Sequence, residues 1–220
     1  YNTHSDFGAG DGVCYHGVTD MFRNPKLAAA VYRSQAEGEP VLELSSSMNI
    51  GDHPGSSIGD VYAFTNADSV RLYKAGELVG EFLPDRTHFG HMSHSPVVID
   101  DLIGNLIEKN ERYPAKVAAL IREVLLAVSK HSISNLPLRY KAIAARLLLF
   151  HGMSMEEGVR LFNRYIDGWG GKAHAWRFEA IREGKTAAVL EKGAAESVRI
   201  CARADRTALT EGETYDMAIV

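Results

Sequence analysis

The sequence predicts an α+β fold, a β-sandwich interrupted by a four-helix insertion. Three observations predict it. Residues 59–82 alternate strand patterns with turn signals. Four segments between residues 100 and 168 place apolar residues at helical spacing. Strand patterns then resume from residue 176 onward. A few strands with one apolar face are not stable alone and need a second layer. The strands before and after the helices therefore read as two halves of one sandwich.

Taken in order, the chain begins with a Gly-rich loop, Asp6-Phe7-Gly8-Ala9-Gly10-Asp11-Gly12. Asn24-Pro25 then opens a helix, because proline at the first turn loses no hydrogen bond. Leu27, Ala30 and Val31 give it an apolar stripe. Val41–Leu44 is a first strand, followed by a loop rich in Ser and Gly. Val61–Phe64 and Ser69–Tyr73 are strands around the polar turn Asn66-Ala67-Asp68. In the latter strand Val70, Leu72 and Lys74 share one face, and Arg71 and Tyr73 the other. Lys74-Ala75-Gly76 is a turn before a strand at Leu78–Phe82. Pro84–Pro96 carries His88, His91 and His94, and Gly90 and Ser95-Pro96 argue against a helix there.

From Asp100 the period changes. Asp100-Asp101 caps a helix whose apolar face is Leu102, Ile103, Leu106 and Ile107. Pro114 opens a second, lined by Val117, Ile121, Val124 and Leu125, and Pro137 a third, lined by Ile143, Ala144, Leu147 and Leu148. Ser154 and Glu157 form a capping box for a fourth, lined by Met155, Val159, Phe162 and Ile166 and ended by Gly168. Four such helices pack as a small bundle. Trp176–Ile181 and Thr186–Leu190 then flank a turn at Arg182-Glu183-Gly184-Lys185, with glycine where positive φ is favoured. Ser197–Ala202 is a further strand, Leu209–Gly212 a turn, and Thr214–Val220 a strand cut short.

Composition narrows the function. At 45% hydrophobic and 24% charged, the 220 residues suit globular domains rather than disorder. A net charge of −4 gives no general support to a nucleic-acid or anionic-membrane role. No apolar run reaches the roughly 18 residues of a membrane span. Cys14 and Cys201 read as buried thiols. Tyr1-Asn2-Thr3-His4 is neither an initiator methionine nor a signal peptide, so a fragment of a longer protein is expected.

Gly17-Val-Thr-Asp-Met-Phe-Arg-Asn-Pro-Lys26 with Tyr32-Arg33-Ser34-Gln35 resembles a stretch of glycoside hydrolase family 2 that follows the last strand of the catalytic barrel. Thr65–Gly76 resembles the TNCDEVELFLNGK-like strand pair of the sandwich domain that comes next. Trp176–Lys185 resembles a later hairpin of that domain, and Leu209–Asp216 the opening of a further one. Ala75 departs from the family's turn asparagine, and residues 100–170 have no counterpart in its common pattern.

The resemblance implies an immunoglobulin-like sandwich preceded by a short remnant of a TIM barrel. Residues 1–38 would be the barrel's last loop and helix, 39–99 and 172–205 the sandwich, 100–171 the helical insertion, and 206–220 the start of a further β domain. A retaining glycosidase needs two carboxylates about 5–5.5 Å apart. On the family's pattern both lie upstream of Tyr1, so no catalytic residue is expected here. The parent would hydrolyse terminal β-galactosides, and this segment would be structural. Only the barrel's last loop could reach sugar, which makes Tyr1, Asn2, His4 and His16 the substrate-binding candidates, in the intact parent alone. The expected partners are the catalytic barrel and, through it, a β-galactoside. No cofactor, metal, nucleic acid or membrane is expected, and a homo-oligomer is compatible with the reading. The compartment is undecided.

Several features tempt other assignments. Asn110-Glu111 has the letters of a catalytic pair but lies between helices beside Lys109 and Arg112, and reads as a solvated surface pair. The three histidines suggest zinc, yet they read as structural. Tyr62, Phe64, Tyr73, Phe82, Trp169 and Trp176 could stack sugars, making an accessory carbohydrate-binding module the runner-up, although alternating aromatics suit a core. Between Arg112 and Arg146 seven basic residues face one acid, Glu123, so a nucleic-acid-binding helical domain is the third reading.

Overall fold

A computed structural model of the protein describes residues 17–19, 23–50, 53, 57–166 and 175–193, and the backbone of two short strands beyond them. The elements are α1 (Leu27–Arg33), β1 (Leu42–Leu44), β2 (Val61–Thr65), β3 (Ser69–Lys74), β4 (Glu77–Phe82), α2 (Arg86–Phe89) and β5 (Val97–Ile99). There follow α3 (Leu106–Asn110), α4 (Ala115–His131), α5 (Leu138–Phe150) and α6 (Met155–Tyr165), then β6 (Trp176–Arg182), β7 (Lys185–Lys192), β8 (Ala202–Ala204) and β9 (Met217–Ile219). Cys14, Cys201, Trp169, Gly168 and the Leu209–Gly212 turn lie outside the described residues.

The described part is a mixed α and β structure with two main antiparallel sheets. One has the order β1-β2-β5, the other β4-β3-β6-β7, and β8 and β9 form a separate pair. The early and late strands meet in one sheet: β3 pairs with β6 from Ser69 opposite Ile181 to Lys74 opposite Trp176. Val61, Ala63, Val97 and Ile99 of the first sheet and Val70, Leu72, Trp176 and Phe178 of the second join one apolar cluster. In β2, in β5 and, from Val70 onward, in β3 the buried side chains alternate, so covering one face of each sheet is what removes them from water.

The three consecutive strands at residues 59–82 are divided between the two sheets. β2 belongs to the first, β3 and β4 to the second. The polar turn between β2 and β3 makes the crossing, and Asn66 fixes it. Its side-chain amide donates to the Ala36 and Glu39 carbonyls at 3.0 and 2.9 Å and accepts from the Val41 N–H at 2.9 Å. Arg182 at the end of β6 donates to the Asn66 carbonyl at 2.9 Å. A buried amide with all these partners satisfied holds one backbone path.

Both tight hairpins use left-handed backbone. Ala75 and Gly76 have φ of 48° and 83°, Glu183 and Gly184 of 52° and 73°. Positive φ at both central residues is the type I′ pattern, whose twist matches that of the strands. The turn geometry thus survives the departure to Ala75, at the cost of putting a Cβ in the left-handed region.

Several expectations need correction. Val97–Ile99 is a strand that was not foreseen. Arg86–Phe89 forms one helical turn, capped by Asp85, whose Oδ1 accepts from the Thr87 and His88 N–H groups. In α1 the buried side chains are Ala29 and Ala30, while Leu27 is 42% exposed. The Asp100-Asp101 signal caps a bend: Asp101 Oδ1 accepts from the Ile103 and Gly104 N–H groups, and the helix starts at Leu106. Gly104, with φ of 56°, lies so close to β4 that a Cβ would sit 2.1 Å from the Val79 carbonyl oxygen. Ser154 caps α6, accepting from the Glu157 N–H at 3.0 Å. The Glu157 carboxylate, however, bonds Tyr113 and Arg160.

The helices pack on each other, α4 against both α3 and α5, and they also share the core of the sheets. Leu106, Ile121, Leu125, Leu147 and Leu161 enter the same apolar cluster as the sheets. Polar ties cross the same boundary. The Gly59 N–H donates to the Ser129 carbonyl at 3.0 Å, Lys130 pairs with Asp60 at 2.5 Å, and Asn110 donates to Glu77 at 2.8 Å. Lys74, 3% exposed, donates to the Ile166 carbonyl at 2.9 Å and lies 4.1 Å from the Trp176 ring centre. A buried ammonium persists when such acceptors replace its water.

Candidate functional site

The substrate-binding candidates Tyr1, Asn2, His4 and His16 lie outside the described residues. The densest polar constellation among the described residues is instead where α3 ends against α6. Glu111, read from sequence as solvated, has a side chain only 10% exposed. It accepts from Tyr165 Oη at 3.0 Å and from Arg160 Nη2 at 2.8 Å, and pairs with Arg164 at 3.1 Å. Glu157 accepts from Tyr113 Oη at 2.7 Å and from Arg160 Nε and Nη2 at 2.8 Å each. One turn of α6 separates Glu157 from Arg160 and another separates Arg160 from Arg164, which places all three on one side.

The electrostatics of this group follow from its contacts. Hydrogen bonds from Arg160, then from Tyr113, pull the Glu157 carboxyl down to about 2. Bonds to Glu157, then to Glu111, raise the Arg160 guanidinium above its ordinary value. Burial first, then donation to Glu157, pushes the Tyr113 phenol up to about 12. Burial and donation to Glu111 push Tyr165 up to about 12 as well. Efficient general acid–base catalysis needs groups titrating near the working pH. These shifts carry Glu157, Tyr113 and Tyr165 away from neutrality, and the contacts of Glu111 with Arg160, Arg164 and Tyr165 tie the end of α3 to α6 as a clamp. The i, i+3, i+7 spacing of its α6 members was readable. Glu111, across the turn, could be placed only by the fold.

The three histidines of the α2 region have separate surroundings. His88 Nδ1 lies 2.7 Å from Asp85 and His94 Nε2 lies 3.2 Å from Glu37, while His91 is exposed. Among the described residues no three His, Cys, Asp or Glu side chains are grouped to hold a metal ion. Of the aromatic residues, Trp176 is buried at 2% exposure, and Tyr62 meets Phe89 edge-on with ring centres 6.2 Å apart. Of the seven basic residues, Arg122 pairs with Asp101, Lys130 with Asp60 and Arg139 with Glu123. An apolar groove of about 180 Å³ runs between α4, α5 and α6, with Ile133, Leu148, Met155, Val159 and Phe162 in its walls. No described helix is long and apolar enough to cross a membrane.

No family model matches the chain. It is 40% identical over 103 residues to a β-galactosidase of Thermoanaerobacterium thermosulfurigenes, a match covering 46% of this chain and 14% of that protein. It is 39% identical over 99 residues to a β-galactosidase of Thermoanaerobacter pseudethanolicus, covering 44% and 13%. A β-galactosidase of Rhizobium meliloti is 38% identical over 79 residues, covering 35% and 10%. Among solved structures, a β-glucuronidase of Parabacteroides merdae aligns over 93% of this chain and 18% of its own, at 11% identity and a TM-score of 0.32. The chain is thus similar, over 35% to 46% of its length, to a small part of three bacterial β-galactosidases, and its match spans at most 14% of their length.

Proposed function

We propose that the chain is a non-catalytic, structural segment of a β-galactosidase-like enzyme of glycoside hydrolase family 2. Its parent hydrolyses terminal β-galactosides. In this reading the two main sheets are an immunoglobulin-like sandwich, residues 1–38 end a catalytic barrel, residues 100–171 are a helical insertion, and 206–220 begin another β domain. The segment buttresses the barrel and shapes its rim or a subunit contact. The observation that carries the proposal is the 40% identity over 103 residues to one β-galactosidase. The pairing of β3 with β6 supports it further, since the strands on either side of the helices close one sheet.

The test has two arms. The purified 220-residue chain is expected to turn over no chromogenic β-galactoside, and the intact parent protein is expected to do so. Turnover by the chain alone would overturn the non-catalytic role. An inactive parent would overturn the glycosidase assignment.

A further inference from the structure

We propose that the outer face of α5 docks an amphipathic helix with acidic flanks, supplied by a partner protein. The proposal is independent of the glycosidase reading. α5 buries only Leu147 of its thirteen residues. Leu138, Ala142, Ala145 and Leu149 recur at i, i+4, i+7 and i+11, the spacing of a single helical stripe. All four are exposed, Leu138 at 82% and Leu149 at 76%, and Phe150 beside them is 77% exposed. The two alanines leave a saddle between the two leucines. A second helix can lie close across small residues flanked by larger ones, whereas a membrane-surface helix typically carries Trp, Phe or Leu along its apolar face.

Charge selects the occupant. α5 contains Arg139, Lys141 and Arg146 and no acidic residue. Arg139 is paired with Glu123. Lys141 and Arg146 are exposed, and at 3.6 residues per turn they stand about 70° to either side of the stripe. Two copies of α5 laid against each other would bring like charges together along both flanks. An incoming helix with an apolar seam and Glu or Asp on each flank would meet a cation on both sides. Continuity with the groove beneath Leu148, Met155 and Val159 extends the apolar surface on one edge.

The experiment uses the whole 220-residue chain and two synthetic helical peptides. One has a Leu/Ala seam flanked by Glu, and its twin has Lys in place of every Glu. Binding is read by fluorescence anisotropy at low salt. The Glu peptide should bind about tenfold tighter than its twin. The double charge reversal Lys141→Glu/Arg146→Glu should invert that preference, and Leu149→Ser should abolish binding of both peptides. All of these substitutions are at exposed positions, and circular dichroism is the check that the variants fold. Equal binding of the two peptides, no binding of either, or unchanged preference in the reversed variant would overturn the proposal. So would preferential binding to phosphatidylserine vesicles, or self-association that Leu149→Ser removes.

Discussion

α4 and α5 begin alike and end up in different places. Each is opened by a proline, neither has a side-chain cap, and both carry apolar residues at helical spacing. Yet α4 buries Val117, Ala118, Ile121, Leu125, Ala127 and Ser129, while α5 buries Leu147 alone. The difference is the number of neighbours. α4 packs against α3 and α5, and its inward side chains share the apolar cluster of the two sheets. Among the described residues, α5 is covered on one side only. Periodicity reports which residues share a face; depth depends on what the fold lays over that face.

That contrast can be broken most directly by truncating both sides of it. Phe178, fully buried in β6, should cost about 3–5 kcal/mol on Phe178→Ala, and Ile121→Ala in α4 about 2–5 kcal/mol, measured by urea unfolding. Leu149→Ala in α5 should fall within about 0.5 kcal/mol of the parent chain. Similar costs for Ile121→Ala and Leu149→Ala would erase the distinction between inner and outer helix.

The next effect sharpens the contrast on the polar side. Asn66→Ala removes a buried amide with three backbone partners and should cost about 3 kcal/mol in the same assay. A cost near that of an exposed substitution would mean that the crossing between sheets is held by its strands alone.

The clamp between α3 and α6 predicts a pH dependence. Glu157 has a folded value of about 2 against an ordinary 4.5. A depressed carboxyl contributes stability that is complete above the ordinary value and is lost as pH falls from about 4.5 to about 2. The group is 31% exposed, so solvent screening reduces the contribution to about 1 kcal/mol. Thermal melts should show a steeper loss through this window for the parent chain than for Glu157→Gln. Parallel curves would remove the clamp from the account. The smallest expected change is a gain. Ala75→Asn should stabilise by about 0.5 kcal/mol, because asparagine tolerates the left-handed backbone of that turn better than alanine.

Much of the fold was legible because its signals are local. Gly184 and Gly76 mark their hairpins, Pro114 and Pro137 mark helix starts, and Ser154 caps α6, all through chemistry within a few residues. Val97–Ile99 was missed because three residues are too few to show a period. The division of β2 from β3 was missed because nothing in Thr65–Asp68 states which sheet each strand joins; the Asn66 contacts to Ala36, Glu39 and Val41 decide it. Glu111 illustrates the same limit for the polar clamp. Its sequence neighbours, Lys109 and Arg112, suggest solvent, but its side chain meets Arg160, Arg164 and Tyr165 from a helix far along the chain. The substrate-binding candidates Tyr1, Asn2, His4 and His16 stand on the family resemblance alone.

The ladder between β3 and β6 has a kinetic consequence. Ser69 cannot reach Ile181 until everything between them has been drawn back on itself, and closing so long a loop is entropically costly. Helical turns form in microseconds or less, well ahead of such distant strand pairing. Coiling of α3 to α6 shortens the path and brings Ile166 toward Lys74. Early coiling of the four helices is therefore expected to speed the closing of the second sheet during refolding.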